Sequence, residues 1–174
     1  MASTIQHAKI TGYATFLPKN TGVTVEQYQR IFSENRHRVY ALSFWMTDHE
    51  LAAEDLMHNV FYRAFAQAAE PDTELIDRAL ISELREMMPL GVLTLEEATC
   101  TETPSVRENI LRVHLERAIV QVPATERMIF LMHDVEAYDH ARIASVLGIT
   151  EEESRYGLHQ ARLRIRNLVA TMVR

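Results

Sequence analysis

"DHARIASVLGITEEESRYGLHQARLRIR", residues 139 to 166, decides the fold. Ile143, Ala144 and Leu147 fall at helical spacing and make the inner face of a short helix, expected over Asp139 to Leu147. Gly148 follows, the residue type best able to take the positive φ that ends a helix, and Ile149 plugs the turn. Thr150 and Glu153 then read as a capping box, hydroxyl and carboxylate each satisfying an amide at the start of a helix expected from Glu151 to Met172. Glu151 and Glu152 suit the positive end of that helix's dipole, so the acidic tip has a purely structural explanation. Two helices meeting at such a turn have the form of a helix-turn-helix.

Along the second helix, Leu158, Ala161, Ile165, Leu168 and Met172 fall on one face, while Arg155, His159, Arg162 and Arg166 fall on another. A basic stripe opposite an apolar one lets a helix lie in the major groove while packing on its own domain. Arginines on an exposed helix face are otherwise simply solvated, so the stripe alone does not decide between the two. Gly157, in mid-helix, costs about 1 kcal/mol relative to Ala and is expected to clear a side chain from the contact face.

Charge along the chain supports a local interface rather than a general one. The net charge of −6 excludes a protein that coats nucleic acid by charge alone. After Glu153 there is no acid, and Arg155, Arg162, Arg164, Arg166 and Arg174 follow. The middle is the reverse: Glu70, Asp72, Glu74, Asp77, Glu83, Glu86, Glu96, Glu97 and Glu102 face only Arg78 and Arg85.

Upstream, apolar residues recur at three and four rather than at two, and the 174 residues hold only five Gly and five Pro, so the chain is expected to be all-α. Helices are expected at about Val25 to Met46, with Tyr28, Ile31, Phe32, Val39, Leu42 and Trp45 inside, and at about His49 to Ala69. Thr47 and Asp48 break the first and offer an N-cap for the second, which carries Leu51, Leu56, Val60, Phe61, Ala64 and Phe65. A third helix buries Ile76, Leu80, Leu84 and Met87, and the three close a small bundle. Pro89, Gly91, the Thr-rich run and Pro104 then mark a break too long for a connector inside a compact domain. Beyond it, helices are expected at about Ser105 to Gln121 and Ala124 to Val135. The expected division is an N-terminal arm over 1–23, a helical domain over 24–88, a linker over 89–104 and a helix-turn-helix domain over 105–174.

These residues resemble the extracytoplasmic-function (ECF) RNA polymerase sigma factors. Val122-Pro123, Arg127 to Leu131, Asp134-Val135-Glu136-Ala137, Arg142-Ile143-Ala144, Leu147-Gly148-Ile149 and Leu158-His159-Gln160-Ala161-Arg162 stand where that family's fourth region has its LP, Arg and apolar run, DVEG-like corner, EIA, LGI and L-H-R-A-R. Asp48, Ala53, Glu54, Asp55, Leu56 and Phe61, with Asn59 near the usual Gln, resemble its second region. The resemblance implies a region 2-like three-helix bundle and a region 4-like domain joined by a linker. It implies core RNA polymerase as partner, with Asp48, Glu54, Asp55 and Asn59 docking on the β′ clamp helices and the fourth region meeting the β flap. It further implies promoter DNA read by Arg155, Tyr156, His159, Arg162 and Arg166, and an anti-sigma factor clamping between or over the helical domains, as for many relatives.

Two stretches depart from the family's form. The segment that would capture melted bases, "ELIDRALISELREMMPLG", carries no aromatic ring, and acids balance Arg78 and Arg85; stacking on aromatics beside cations is how single strands are held. In the last helix, Glu153, Ser154, Gly157 and Gln160 replace the more usual Thr, Val, Arg and Arg, which lowers the DNA affinity expected of the groove-facing surface. A non-initiating helix-turn-helix regulator, or a protein-interaction module retaining the fold, is the alternative to an initiator.

Enzyme chemistry has little support. His37, His49, His58, His114, His133, His140 and His159 are scattered without a ligand spacing, no glycine loop cradles phosphate, and neither a metal nor a cofactor is expected. His133-Asp134 and Asp139-His140 come nearest to a cluster and are expected to be solvated at a helix corner. Cys100 is the single cysteine, which excludes an intramolecular disulfide and fits a reducing interior. With no signal-peptide pattern or membrane-length apolar run, the expected location is cytoplasmic, without membrane insertion.

Overall fold

The computed structural model describes residues 23–94 and 110–172. The expected N-terminal arm with Lys9 and Lys19, most of the expected linker, and Cys100 lie outside the described residues. Seven α-helices are described, α1 Val25–Thr47, α2 Glu50–Gln67, α3 Thr73–Met87, α4 Arg112–Gln121, α5 Ala124–Phe130, α6 His140–Leu147 and α7 Glu151–Met172, with a π-helical turn at Leu131–Val135. Among the described residues every regular element is helical, as the spacing of apolar residues requires. None of the described helices is long and apolar enough to cross a membrane.

The described residues fall into two compact units, one within 1–44 and 49–84, the other within 45–48 and 85–174. In the first, Tyr28, Ile31, Phe32, Val39 and Leu42 of α1 are buried with Leu56, Val60, Phe61 and Phe65 of α2 and Ile76, Leu80 and Leu84 of α3. The rings of Tyr28 and Phe65 lie 4.9 Å apart and those of Phe32 and Phe61 4.8 Å apart. Burying each such ring contributes roughly 1.5–3 kcal/mol. Asp77 of α3 is fully buried and forms an ion pair with Arg38 of α1, whose guanidinium also donates to Asn35 Oδ1 at 3.0 Å.

Sequence periodicity misplaced three details here. Asp48 takes a left-handed backbone (φ 53°), so His49, in extended conformation, is the N-cap of α2 and its side chain accepts from the Ala52 N–H at 3.3 Å. Leu51 is 67% exposed because it lies on the face opposite Ala53, Leu56 and Val60. Met87, in the last turn of α3, is likewise exposed rather than part of the buried stripe.

In the second unit α4, α5 and α6 all pack against α7. The helix expected from Ser105 begins, within the described residues, at Arg112. The one expected over Ala124 to Val135 stays α-helical only to Phe130; the chain then widens, Glu136 N–H donating to Leu131 O at 3.0 Å and Tyr138 N–H to Met132 O at 2.9 Å. Ala137 takes a positive φ of 58°, which completes the turn into α6, and Arg142 lies over the Tyr138 ring at 3.7 Å. Leu90 is buried in this unit, Gly91 N–H donates to Thr125 Oγ1 at 3.2 Å and Thr94 N–H to the Glu126 carboxylate at 2.9 Å.

Candidate functional site

The helix-turn-helix forms as its local signals dictate. Asp139 caps α6 by accepting from the Arg142 N–H at 2.8 Å. Gly148 ends it in the left-handed conformation (φ 65°, ψ 37°), and Ile149 N–H reaches back to Ala144 O at 3.1 Å. The capping box closes in both directions: Glu153 N–H donates to Thr150 Oγ1 at 3.1 Å and Thr150 N–H donates to Glu153 Oε2 at 2.7 Å. Those Thr150 donors hold the Glu153 carboxyl below the usual carboxylate range.

Arg155, Tyr156, His159, Arg162 and Arg166, the five residues expected to face DNA, are all exposed and share one side of α7. Ser154, Gly157 and Gln160 do not join them. All three are buried, and a Cβ at Gly157 would meet Ile129 Cδ1 at 2.6 Å and Leu93 Cδ2 at 2.9 Å. Gly157 therefore serves close packing of α7 on α5 and on residue 93, not clearance of the contact face, and the absence of cations at 157 and 160 removes nothing from the outer surface. On the inner side Leu158, Ala161 and Ile165 are buried as expected, but Val169 takes the buried place expected of Leu168, and Met172 is half-buried. Arg164 turns toward the unit's interior and donates to Thr94 Oγ1 at 3.3 Å.

The outer face is less positive than its sequence suggests. Arg162 is held in a two-point ion pair, its Nη2 donating to Asp134 Oδ1 at 2.6 Å and its Nε to Asp134 Oδ2 at 3.0 Å. Arg155 donates to Glu151 Oε2 at 2.7 Å, one turn earlier on the same helix. The hydrogen bond from Arg162, helped by His133, holds the Asp134 carboxyl below the usual range against the opposing effect of burial, and Asp134 in turn raises the Arg162 pKa. The π-helical turn brings further polar groups that the sequence left unassigned. His133 Nδ1 lies 2.9 Å from Asp134 Oδ1, His140 Nδ1 lies 2.9 Å from Ser154 Oγ, and the two imidazoles stack at 4.7 Å. Burial and then the charges of His133 and Arg155 push the His140 imidazole down. The only sequence signal was the adjacency of His133-Asp134 and Asp139-His140; their contacts with α7 run from Asp134 to Arg162 and from His140 to Ser154.

Of the second set of expected residues, Glu54, Asp55 and Asn59 lie on α2 in the first unit, and Asp48 falls in the short stretch 45–48 grouped with the second. Asp48, Glu54, Asp55 and Asn59 are all exposed. Asp55 and Asn59 share one helix face with two exposed apolar side chains, Leu51 and Tyr62, the latter 55% exposed, and Glu54 flanks it. The face thus combines two exposed apolar side chains with an acidic edge. α3 carries no aromatic residue along Thr73–Met87, and its Arg78 is paired with Glu74 at 2.6 Å. Among the described residues no group of three or more His, Cys, Asp or Glu could hold a metal ion.

Comparison with known proteins adds three findings. The family model "Sigma-70, region 4" matches residues 112–165, which contain α4 to α6 and two thirds of α7. The "Probable RNA polymerase sigma factor RfaY" of Xanthomonas campestris pv. campestris is 27% identical over 169 residues, an alignment covering 87% of this chain and 42% of that protein, so the chain spans less than half of that relative's length. Among solved structures, the sigma factor RpoE of Bartonella quintana, crystallised in complex with the anti-sigma factor NepR, matches with a TM-score of 0.61 over 81% of this chain and 95% of that one. Identity there is 14%, so this last similarity is one of fold alone.

Proposed function

We propose that this chain is an ECF-like relative of the RNA polymerase sigma factors, and that it binds core RNA polymerase and directs it to promoter DNA. In this reading residues 24–88 are the region 2-like domain, and α2 docks on the β′ clamp helices through Asp48, Glu54, Asp55 and Asn59, with Leu51 and Tyr62 adding apolar area at the centre. Residues 105–174 are the region 4-like domain, which meets the β flap, while α7 enters the major groove with Arg155, Tyr156, His159, Arg162 and Arg166 toward bases and phosphates. The observation that carries the reading is the coincidence of the region 4 match with a helix-turn-helix whose five candidate DNA residues share one exposed face. Anti-sigma control through a clamping partner follows from the same family, as does a cytoplasmic, non-catalytic role.

A second reading has its own support. α3 offers no aromatic platform for unstacked bases, and Arg162 and Arg155 are already engaged by carboxylates. A protein of this kind binds polymerase or DNA without melting the promoter. Run-off transcription with purified core enzyme and a genomic promoter library separates the two: an initiator yields discrete transcripts that depend on the added protein, and a non-initiating regulator yields none while still shifting DNA or polymerase.

A further inference from the structure

The cluster at the π-helical turn stands beside the DNA-facing side of α7 but is used by neither reading. His133 and His140 are seven residues apart in sequence, yet their rings stack at 4.7 Å with 28° between planes. Each Nδ1 is committed, His133 to Asp134 and His140 to Ser154, both at 2.9 Å. Among the described residues neither Nε2 has a hydrogen-bond partner, so each ring keeps one nitrogen for an outside ligand. Asp134, which holds His133, also holds Arg162, and this fixes the stack against the recognition helix.

A metal does not suit this pair, because the described residues supply no third ligand. An anion does. Two stacked imidazoles repel one another when charged, and His140 already faces His133 and Asp134 from the turn and Glu151, Arg155 and Arg162 from α7. Burial first, then His133 and Arg155, push its imidazole pKa down in the free protein, with Glu151 the opposing influence. An oxyanion accepting from an imidazolium N–H relieves that repulsion and makes a charge-assisted hydrogen bond. The anion that a duplex in the groove of α7 brings to its edge is a backbone phosphate.

We propose that the His133–His140 stack is a phosphodiester-contact site at the edge of the recognition helix, so that binding of DNA takes up a proton. The inference rests on the DNA-binding reading of α7. Its sign is fixed: the phosphate raises the imidazole pKa, so affinity is flat above the bound-state value, increases as pH falls toward the free-state value, and levels off below it. One linked proton changes affinity by up to about tenfold per pH unit within that window.

The test uses the full chain and a rhodamine-labelled duplex of about 30 base pairs, with fluorescence anisotropy at low salt read from about pH 8 down to about pH 5.5. Wild type is expected to tighten several-fold on acidification. His133→Gln combined with His140→Gln should lose most of that slope, and His133→Gln alone part of it; circular dichroism confirms that each is folded. His159 shares the exposed face, so the slope of interest is the difference between wild type and the double variant. Arg166→Ala, a charge on the same exposed face outside the stack and its ion pair, weakens binding at every pH and keeps the slope. A folded double variant with the wild-type slope overturns the phosphate site while leaving DNA binding intact. Wild type that fails to bind the duplex at any pH overturns the DNA-binding reading and this inference with it.

Discussion

On the proposed DNA-binding role of α7, replacing Asp134 by Asn should tighten binding to DNA, although it removes an ion pair. Arg162 Nη2 and Nε meet the two Asp134 oxygens at 2.6 and 3.0 Å, and the Arg162 side chain is 51% exposed. A pair so open to solvent contributes about 0.2–1 kcal/mol, toward the upper end for two-point geometry. Arg162 forfeits that amount whenever it turns to a phosphate. Asp134→Asn removes the competing charge and keeps an acceptor, so affinity should rise by a factor of about 2 to 5, with 1.4 kcal/mol equal to tenfold. The slope of log affinity against log salt should steepen by about one phosphate contact, and stability in urea should fall by less than about 1 kcal/mol. Anisotropy titrations across salt for wild type, Asp134→Asn, Arg162→Ala and the double variant form a cycle that isolates the coupling. If Asp134→Asn binds no tighter than wild type, or gains as much when Arg162 is already Ala, Asp134 does not restrain Arg162.

Other substitutions read the packing. Gly157→Ala gains about 1 kcal/mol of helix propensity but sets a methyl 2.6 Å from the fully buried Ile129 side chain. Overpacking costs about 1–3 kcal/mol, so urea denaturation should show a net loss, and a more stable variant would contradict the close approach of α7 to α5. Asp77→Ala leaves Arg38 without its buried carboxylate and should cost roughly 3–5 kcal/mol, enough to melt the first unit in a thermal scan. Thr150→Ala removes a cap that contributes about 1 kcal/mol. Because Thr150 depresses the Glu153 pKa, the contribution of that carboxylate is complete above the usual carboxylate range and disappears as pH falls through the lowered folded value. The gap between the melting curves of wild type and Thr150→Ala should therefore narrow in acid, leaving the contribution of the Glu153 N–H to Thr150 Oγ1 hydrogen bond.

Signals written within four or five residues survived folding unchanged. Gly148, the Thr150–Glu153 box and the bounds of α7 were legible because a left-handed stop and a reciprocal cap need no partner from elsewhere in the chain. The exposed face of α7 followed from its helical period. What periodicity could not give was the depth of each position. Ser154, Gly157 and Gln160 are polar or small and looked groove-facing, but α5 and residue 93 approach α7 so closely at Gly157 that this face is the packed one. Leu51 looked like core and is surface. The Asp134–Arg162 pair joins residues 28 apart, and Asp134 stands in a π-helical turn that the sequence did not announce.

The central claim is tested most directly by binding of the full chain to purified core RNA polymerase, measured by co-elution in size-exclusion chromatography and by titration. The account predicts a stable complex that Asp55→Arg, a charge reversal on the exposed face of α2, weakens by at least about tenfold while the fold stays intact. Absence of a complex, or a complex that Asp55→Arg leaves unchanged, would contradict it.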